Sequence, residues 1–128
     1  MLLLRPATAE LGFAPAAGTR PAPGGKAAPA GVIVATIHYL WKAPDEGFTA
    51  FFRDSRLPAL RASGVEVLGA YVPEEAPNTF PRLPVRQGEK LFVWFARVAD
   101  DAAWRHAQDK FARATKVAAA LADYEERP

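Results

Sequence analysis

The stretch from Lys90 to Leu121 constrains the fold more than any other part of the chain. It opens on Lys90-Leu91-Phe92-Val93-Trp94-Phe95-Ala96-Arg97-Val98, β-branched and aromatic residues with almost no polar interruption. A strand so apolar is buried on both faces, which predicts a central position in a sheet. After Asp100 and Asp101, either of which can cap a helix, Trp104, Ala107, Phe111, Ala114, Ala118 and Leu121 recur at three- and four-residue steps. That spacing makes one apolar stripe, which predicts a helix laid back on the sheet.

The remaining composition narrows the class. A chain of 128 residues fits one domain, and with half its residues hydrophobic it can build an ordinary core. No apolar run approaches the length needed to span a bilayer. The opening Met1-Leu2-Leu3-Leu4-Arg5-Pro6 lacks a charged leader and is cut short by Arg5 and Pro6, so it does not read as a secretory signal. With no cysteine there is no disulfide framework, thiol nucleophile or thiolate metal site, which suits a cytoplasmic protein. The formal charge of +2 is small, and Arg105, Lys110, Arg113 and Lys116 are interleaved with Asp109 and alanines. They read as a solvated helix face, and nucleic-acid binding is not expected.

Residues 1–30 form a strand-like start followed by a linker. Five of the twelve prolines and five of the nine glycines precede Val32, a density incompatible with regular structure. Residues 31–128 then form the domain. Val32 to Trp41 is a strand whose alternation puts Ile33, Ala35, Ile37, Tyr39 and Trp41 on one face and Val34, Thr36, His38 and Leu40 on the other. The first set is the more apolar and is expected to meet the helices. Pro44 and Asp45 start a helix with Phe48, Phe51 and Phe52 on one stripe. Pro58 falls inside it, and a kink there is needed for Leu57 and Leu60 to reach the same core. Gly64 supplies the C-terminal cap. Val65 to Val72 is the second strand, and a proline-rich connection from Pro73 to Glu89 leads to the third, Lys90 to Val98. The last helix is expected to run unbroken from about Asp101 to Tyr124.

The order strand, helix, strand, strand, helix is one strand short of a split βαβ, so the expected class is α+β: a ferredoxin-like antiparallel sheet with helices on one face. The only unused strand-like residues are at the N-terminus. Leu2 to Arg5 is therefore expected to fill the fourth-strand position, in its own subunit or in a partner.

Three stretches, VIVATIHYL from Val32, RLPALRASG ending at Gly64 and the long string from Asn78 to Trp104, resemble NIPSNAP-family proteins. The likeness covers roughly Gly31 to Trp104 and is most specific from Asn78 to Arg97. Met1 to Ala7 resembles the closing strand of a preceding repeat, so the chain looks mainly like the second repeat of a tandem form. It departs from the family near Ala114-Thr115-Lys116, where relatives have a helix break and a tryptophan. The resemblance implies a dimeric α/β barrel in which two four-stranded sheets, from two subunits or two repeats, pack face to face. Physical reasoning agrees. Helices cover one sheet face only, yet Leu91, Val93 and Phe95 leave the other face apolar, and a second sheet would cover it.

Few residues offer chemistry. His38, placed on the face expected to line the barrel, is the candidate general base, or axial ligand as in haem-handling relatives of the superfamily; a histidine hydrogen-bonded within the sheet is the alternative. Arg97 follows Phe95 on one strand face and, if buried, needs a carboxylate, from a ligand or from Glu66. Tyr71 can offer its phenol to a pocket. In the Pro73–Glu89 connection, Phe80, Arg82 and Arg86 set an aromatic beside cations and could hold an anionic or partly apolar ligand; equally, the connection could be an extended brace. No glycine-rich phosphate loop, nucleophile elbow or metal-ligand spacing is present, and no cofactor is identifiable. The expected function is a self-pairing module that binds a small molecule or a protein, as a homodimer or with a preceding repeat. The alternative is a cofactor-independent or haem-dependent monooxygenase using His38.

Overall fold

The computed structural model describes residues 1–14, 24, 31–79, 82, 84–113 and 115–125. In chain order the elements are β1 (Leu4–Pro6), β2 (Val32–Tyr39), α1 (Glu46–Phe51), a π-helical turn (Phe52–Arg56), α2 (Leu57–Ala62), β3 (Glu66–Pro73), β4 (Leu91–Val98), α3 (Asp101–Arg113) and α4 (Thr115–Tyr124). A short 3₁₀ turn at Ala9–Leu11 follows β1. The four strands form one antiparallel sheet in the order β1-β3-β4-β2. The fold is α+β, and its strand–helix–strand–strand–helix part is consistent with a ferredoxin-like arrangement.

Strand β4 occupies the central position its composition predicts. Phe92, Trp94, Ala96 and Val98 join the core beneath the helices, while Leu91 and Val93, on the other face, are 2 % and 4 % exposed. It pairs with β2 in unbroken register from Val32↔Val98 to Tyr39↔Leu91. Its pairing with β3 carries one irregularity, between Val67 and Gly69.

The two faces of β2 are the reverse of the expectation. Val32 and Val34 pack on the helix-side core and His38 and Leu40 are buried, whereas Ile33, Ile37 and Tyr39 are 56 %, 44 % and 57 % exposed. Both alternating sets are largely apolar, so hydropathy could not choose between them. The helix side is the one that supplies hydrogen-bond partners for His38, and a polar ring can be buried only where such partners exist.

The N-terminal strand pairs within its own chain but at the opposite edge from the one expected. Leu4, Arg5 and Pro6 lie against Pro73, Val72 and Tyr71 of β3, whereas the fourth-strand position lies beyond β2. Pro6 has no N–H to give and is tolerated on an edge strand. The segment after β1 also has its place on β3: the Ala7 N–H donates to the Ala70 carbonyl at 2.9 Å. A Cβ on Gly69 would lie 2.8 Å from the Leu11 carbonyl oxygen, so only glycine admits this close approach.

The helical layer is built as the caps and stripes predict. Asp45 accepts a hydrogen bond from the Phe48 N–H at 2.9 Å, and Asp100 accepts one from Ala103 at 2.7 Å. Phe48 and Phe52 pack on Phe92, with ring centroids 4.8 and 4.9 Å apart. The kink needed near Pro58 takes the form of the π-helical turn. One straight α-helix advances 100° per residue, which would swing Leu57 and Leu60 away from the phenylalanines. The wider turn absorbs one residue, and all four side chains reach the core. Gly64, at φ 86°, ends α2 with the Gly64 N–H on the Arg61 carbonyl and the Val65 N–H on the Leu60 carbonyl, both at 3.1 Å. The last helical stretch is described in two parts, α3 to Arg113 and α4 from Thr115, and Ala114 between them lies outside the described residues. Among the described residues no helix is long and apolar enough to cross a membrane.

Candidate functional site

His38 lies on the helix side of β2, not on the open face that would line a barrel. Its two ring nitrogens are both engaged. Trp94, one strand over on β4, donates its indole N–H to His38 Nε2 at 2.9 Å. An indole can only donate, so Nε2 must be the unprotonated nitrogen. The proton then sits on Nδ1, which donates to Glu125 Oε1 at 3.1 Å. The geometry therefore selects a single neutral tautomer.

The electrostatics agree with this assignment. Burial is the largest cause that pushes the His38 pKa below the ordinary histidine value; the hydrogen bond to Glu125 and its charge oppose the shift, and the Arg56 charge adds to it. Arg56 comes from the π-helical turn and is itself buried, with its guanidinium carbon 5.2 Å from the Phe111 ring centre. Its Nε has no hydrogen-bond partner among the described residues. Burial lowers the Arg56 pKa, and the Glu125 charge opposes the shift. Glu125 stands at the end of α4, where it bridges to Leu40 next to the fourth-strand position. Trp41 ties the same junction, donating its backbone N–H to the Tyr124 carbonyl at 3.2 Å and its indole N–H to the Asp123 carbonyl at 2.9 Å.

This cluster joins β2, β4, the π-helical turn and the end of α4. It is a lock more than a reaction centre. A general base or an axial ligand needs a free ring nitrogen facing a cavity, and here both nitrogens are occupied by protein groups. The geometry thus favours the structural role for His38.

The other candidate residues do not converge on it. Tyr71 lies on the open face of β3, where its hydroxyl accepts from the Phe13 N–H at 2.9 Å and its ring sits 4.9 Å from that of Phe13. Phe13 also packs on Phe95, at 5.3 Å, so Tyr71 fastens the N-terminal segment to the sheet. Arg97 shares that face but is not buried: its side chain is 48 % exposed and approaches Glu66, the residue opposite it in the strand register, at 3.9 Å. Arg86 pairs with Glu89 at 2.7 Å, and its backbone N–H donates to the Met1 carbonyl at 2.7 Å. Arg82 is an exposed turn residue, and Phe80 lies outside the described residues. The Glu74 N–H donates to the Leu3 carbonyl at 2.8 Å, and the Gln87 side chain donates to the Ala76 carbonyl at 3.1 Å. These contacts favour the brace reading of the connection.

The structure adds features that the sequence reading missed. Because β1 extends the sheet at the β3 edge, an open cleft of about 850 Å³ lies between it and the first turn of α1. It is lined by Arg5, Thr8, Asp45, Glu46, Arg53 and Glu75, charges of both signs. Lys42 and the Phe48 N–H already engage Asp45, and the backbone hydrogen bond is the larger cause of its lowered pKa. No group of three metal-ligating side chains is found among the described residues. No family model, curated protein or solved structure matches this chain.

Proposed function

We propose that this chain is a self-pairing α/β-barrel module of the kind its NIPSNAP-like segments imply, acting by binding. Two copies bring the open faces of their sheets together and enclose a space for a small molecule or a protein segment. One observation carries the reading: β2 presents Ile33, Ile37 and Tyr39 about half exposed on the face without helices. An apolar strand face left to water is a liability that a second sheet removes. The β3 and β4 side of that face is partly covered by Phe13, so the contact centres on β2. Arg97 and Tyr71 would border the enclosed space, which suits a ligand with an apolar body and an anionic group.

The test is native mass spectrometry and light scattering across the micromolar range, on the natural chain and on Ile37→Lys. The natural chain should be a dimer. The lysine should weaken association by at least about tenfold, or about 1.4 kcal/mol, with an unchanged far-ultraviolet circular dichroism spectrum, because residue 37 lies outside the helix-side core. A natural chain that stays monomeric throughout, or an Ile37→Lys protein that pairs as before, ends the proposal.

A further inference from the structure

β2 ends the sheet, and among the described residues no strand pairs with its outer backbone edge, which defines how two copies would join. Leu40 donates its N–H to the Lys90 carbonyl at 2.8 Å, towards β4. Alternation along the strand then turns the N–H and C=O groups of Ile33, Ala35, Ile37 and Tyr39 outwards. Trp41, of the same parity, confirms this direction, since its N–H goes outwards to Tyr124. From Val32 to Tyr39 the edge carries no charge, no proline and no bulge, so it lacks the usual devices that keep a strand from pairing with another.

We infer that β2 pairs antiparallel with β2 of a second copy, with Ala35 on the two-fold axis. This rests on the self-pairing reading above and specifies its seam. The register follows from what occupies the two ends. Glu125 already holds the outer side of Leu40. Placing Thr36 on the axis would drive the partner subunit's Val32 into that position. Placing Val34 there would carry Tyr39 past the described part of the partner strand. With Ala35 on the axis, Ile33 faces the partner subunit's Ile37, and Tyr39 faces the partner subunit's Gly31. Gly31, at φ 100°, then stands one position short of Leu40, so no described residue of the incoming strand is driven against Glu125.

In this register the outward-facing residues exchange about six hydrogen bonds across the seam. Ile33 and Ile37 form cross-strand β-branched pairs on the open face. An uncharged strand meeting itself incurs no like-charge penalty. The two-fold axis is perpendicular to the sheet, so both open faces lie on the same side, as a barrel requires. The seam alone is smaller than the roughly 800 Å² per partner typical of a stable interface, and the apolar faces behind it supply the rest.

The chain has no cysteine, so one introduced thiol reports directly on the register. Ala35→Cys places two sulfurs across a hydrogen-bonded pair with Cα atoms about 5.5 Å apart, within disulfide range. Ile33→Cys places its thiols about four residues apart along the strand, roughly 13 Å, which is out of reach. Both positions are exposed, so neither change disturbs the core. Under mild oxidation, followed by non-reducing electrophoresis and intact mass, Ala35→Cys should cross-link at least about ten times faster than Ile33→Cys. If the natural chain is a dimer but Ala35→Cys does not cross-link, or Ile33→Cys does so equally fast, the seam is wrong while self-pairing stands. A monomeric natural chain with no cross-link in either variant overturns both.

Discussion

The His38–Trp94 hydrogen bond makes stability depend on pH in a way that one substitution should abolish. In the folded chain the donor-only indole faces Nε2 at 2.9 Å, so a second proton on His38 would set two N–H groups against each other. This geometry and the burial of the ring act together, and the folded-state pKa lies below the ordinary 6.5. The unfolded chain therefore binds more protons than the folded one just below pH 6.5. Stability is complete above that value and falls as the pH falls, by at most about 1.4 kcal/mol per unit, until the folded-state pKa is reached. His38→Gln keeps an acceptor for Trp94 and a donor for Glu125 but cannot titrate, so this slope should disappear. Trp94→Phe leaves Nε2 buried without a partner, at a cost of about 1–3 kcal/mol near neutral pH, plus a contribution from the smaller ring. Its loss should shrink towards pH 5.5, because the freed nitrogen can accept the proton. The assay is urea unfolding followed by circular dichroism between pH 8 and about 5, above the range where ordinary carboxylates protonate. Natural-chain stability that is flat from pH 7.5 to 5.5, or a His38→Gln slope equal to the natural one, would refute the reasoning.

Two further outcomes test the packing. Leu60 is fully buried beneath the sheet, so Leu60→Ala should cost about 2–5 kcal/mol in urea unfolding; a loss under 1 kcal/mol would show that the π-helical turn does not aim this residue at the core. Gly69→Val puts a side chain where the Leu11 carbonyl oxygen would be 2.8 Å away, which should push the N-terminal segment off β3. Hydrogen exchange at the Ala7 amide, bonded to Ala70 at 2.9 Å, should then lose its protection, and unchanged protection would contradict the packing described.

Local signals in this chain were legible where one residue type has one use. Asp45 and Asp100 cap the helices they precede, Gly64 closes α2, and the apolar run at Leu91 to Val98 is the central strand. The choice of face on β2 was not legible, because a sheet with one uncovered apolar face gives two apolar sets. What decides it is Glu125, 87 residues from His38, and no pattern along the chain links the two. Three leucines followed by arginine and proline suit either sheet edge, so the N-terminal strand could be recognised without its neighbour. Arg97 follows Phe95 on one face, a position that leaves its burial open; it stands near the end of β4, where water reaches it. The candidate residues thus scattered, while the lock at His38 and the open edge of β2 emerged only from the register.

The π-helical turn has a consequence for how this sequence can tolerate change. The segment from Glu46 to Ala62 contains one residue more than a regular helix needs to keep Phe48, Phe52, Leu57 and Leu60 on one side. That surplus is concentrated at Phe52–Arg56, where the Asp54 side chain is exposed and, among the described residues, accepts from its neighbour Arg53. Deleting Asp54, with Pro58→Ala to restore a helical N–H, would turn the wide turn into an ordinary one and leave every apolar side chain facing the sheet. The same deletion one turn later would rotate Leu60 by about 100° out of the core. Length variation, usually confined to loops, would here be absorbed within a helix.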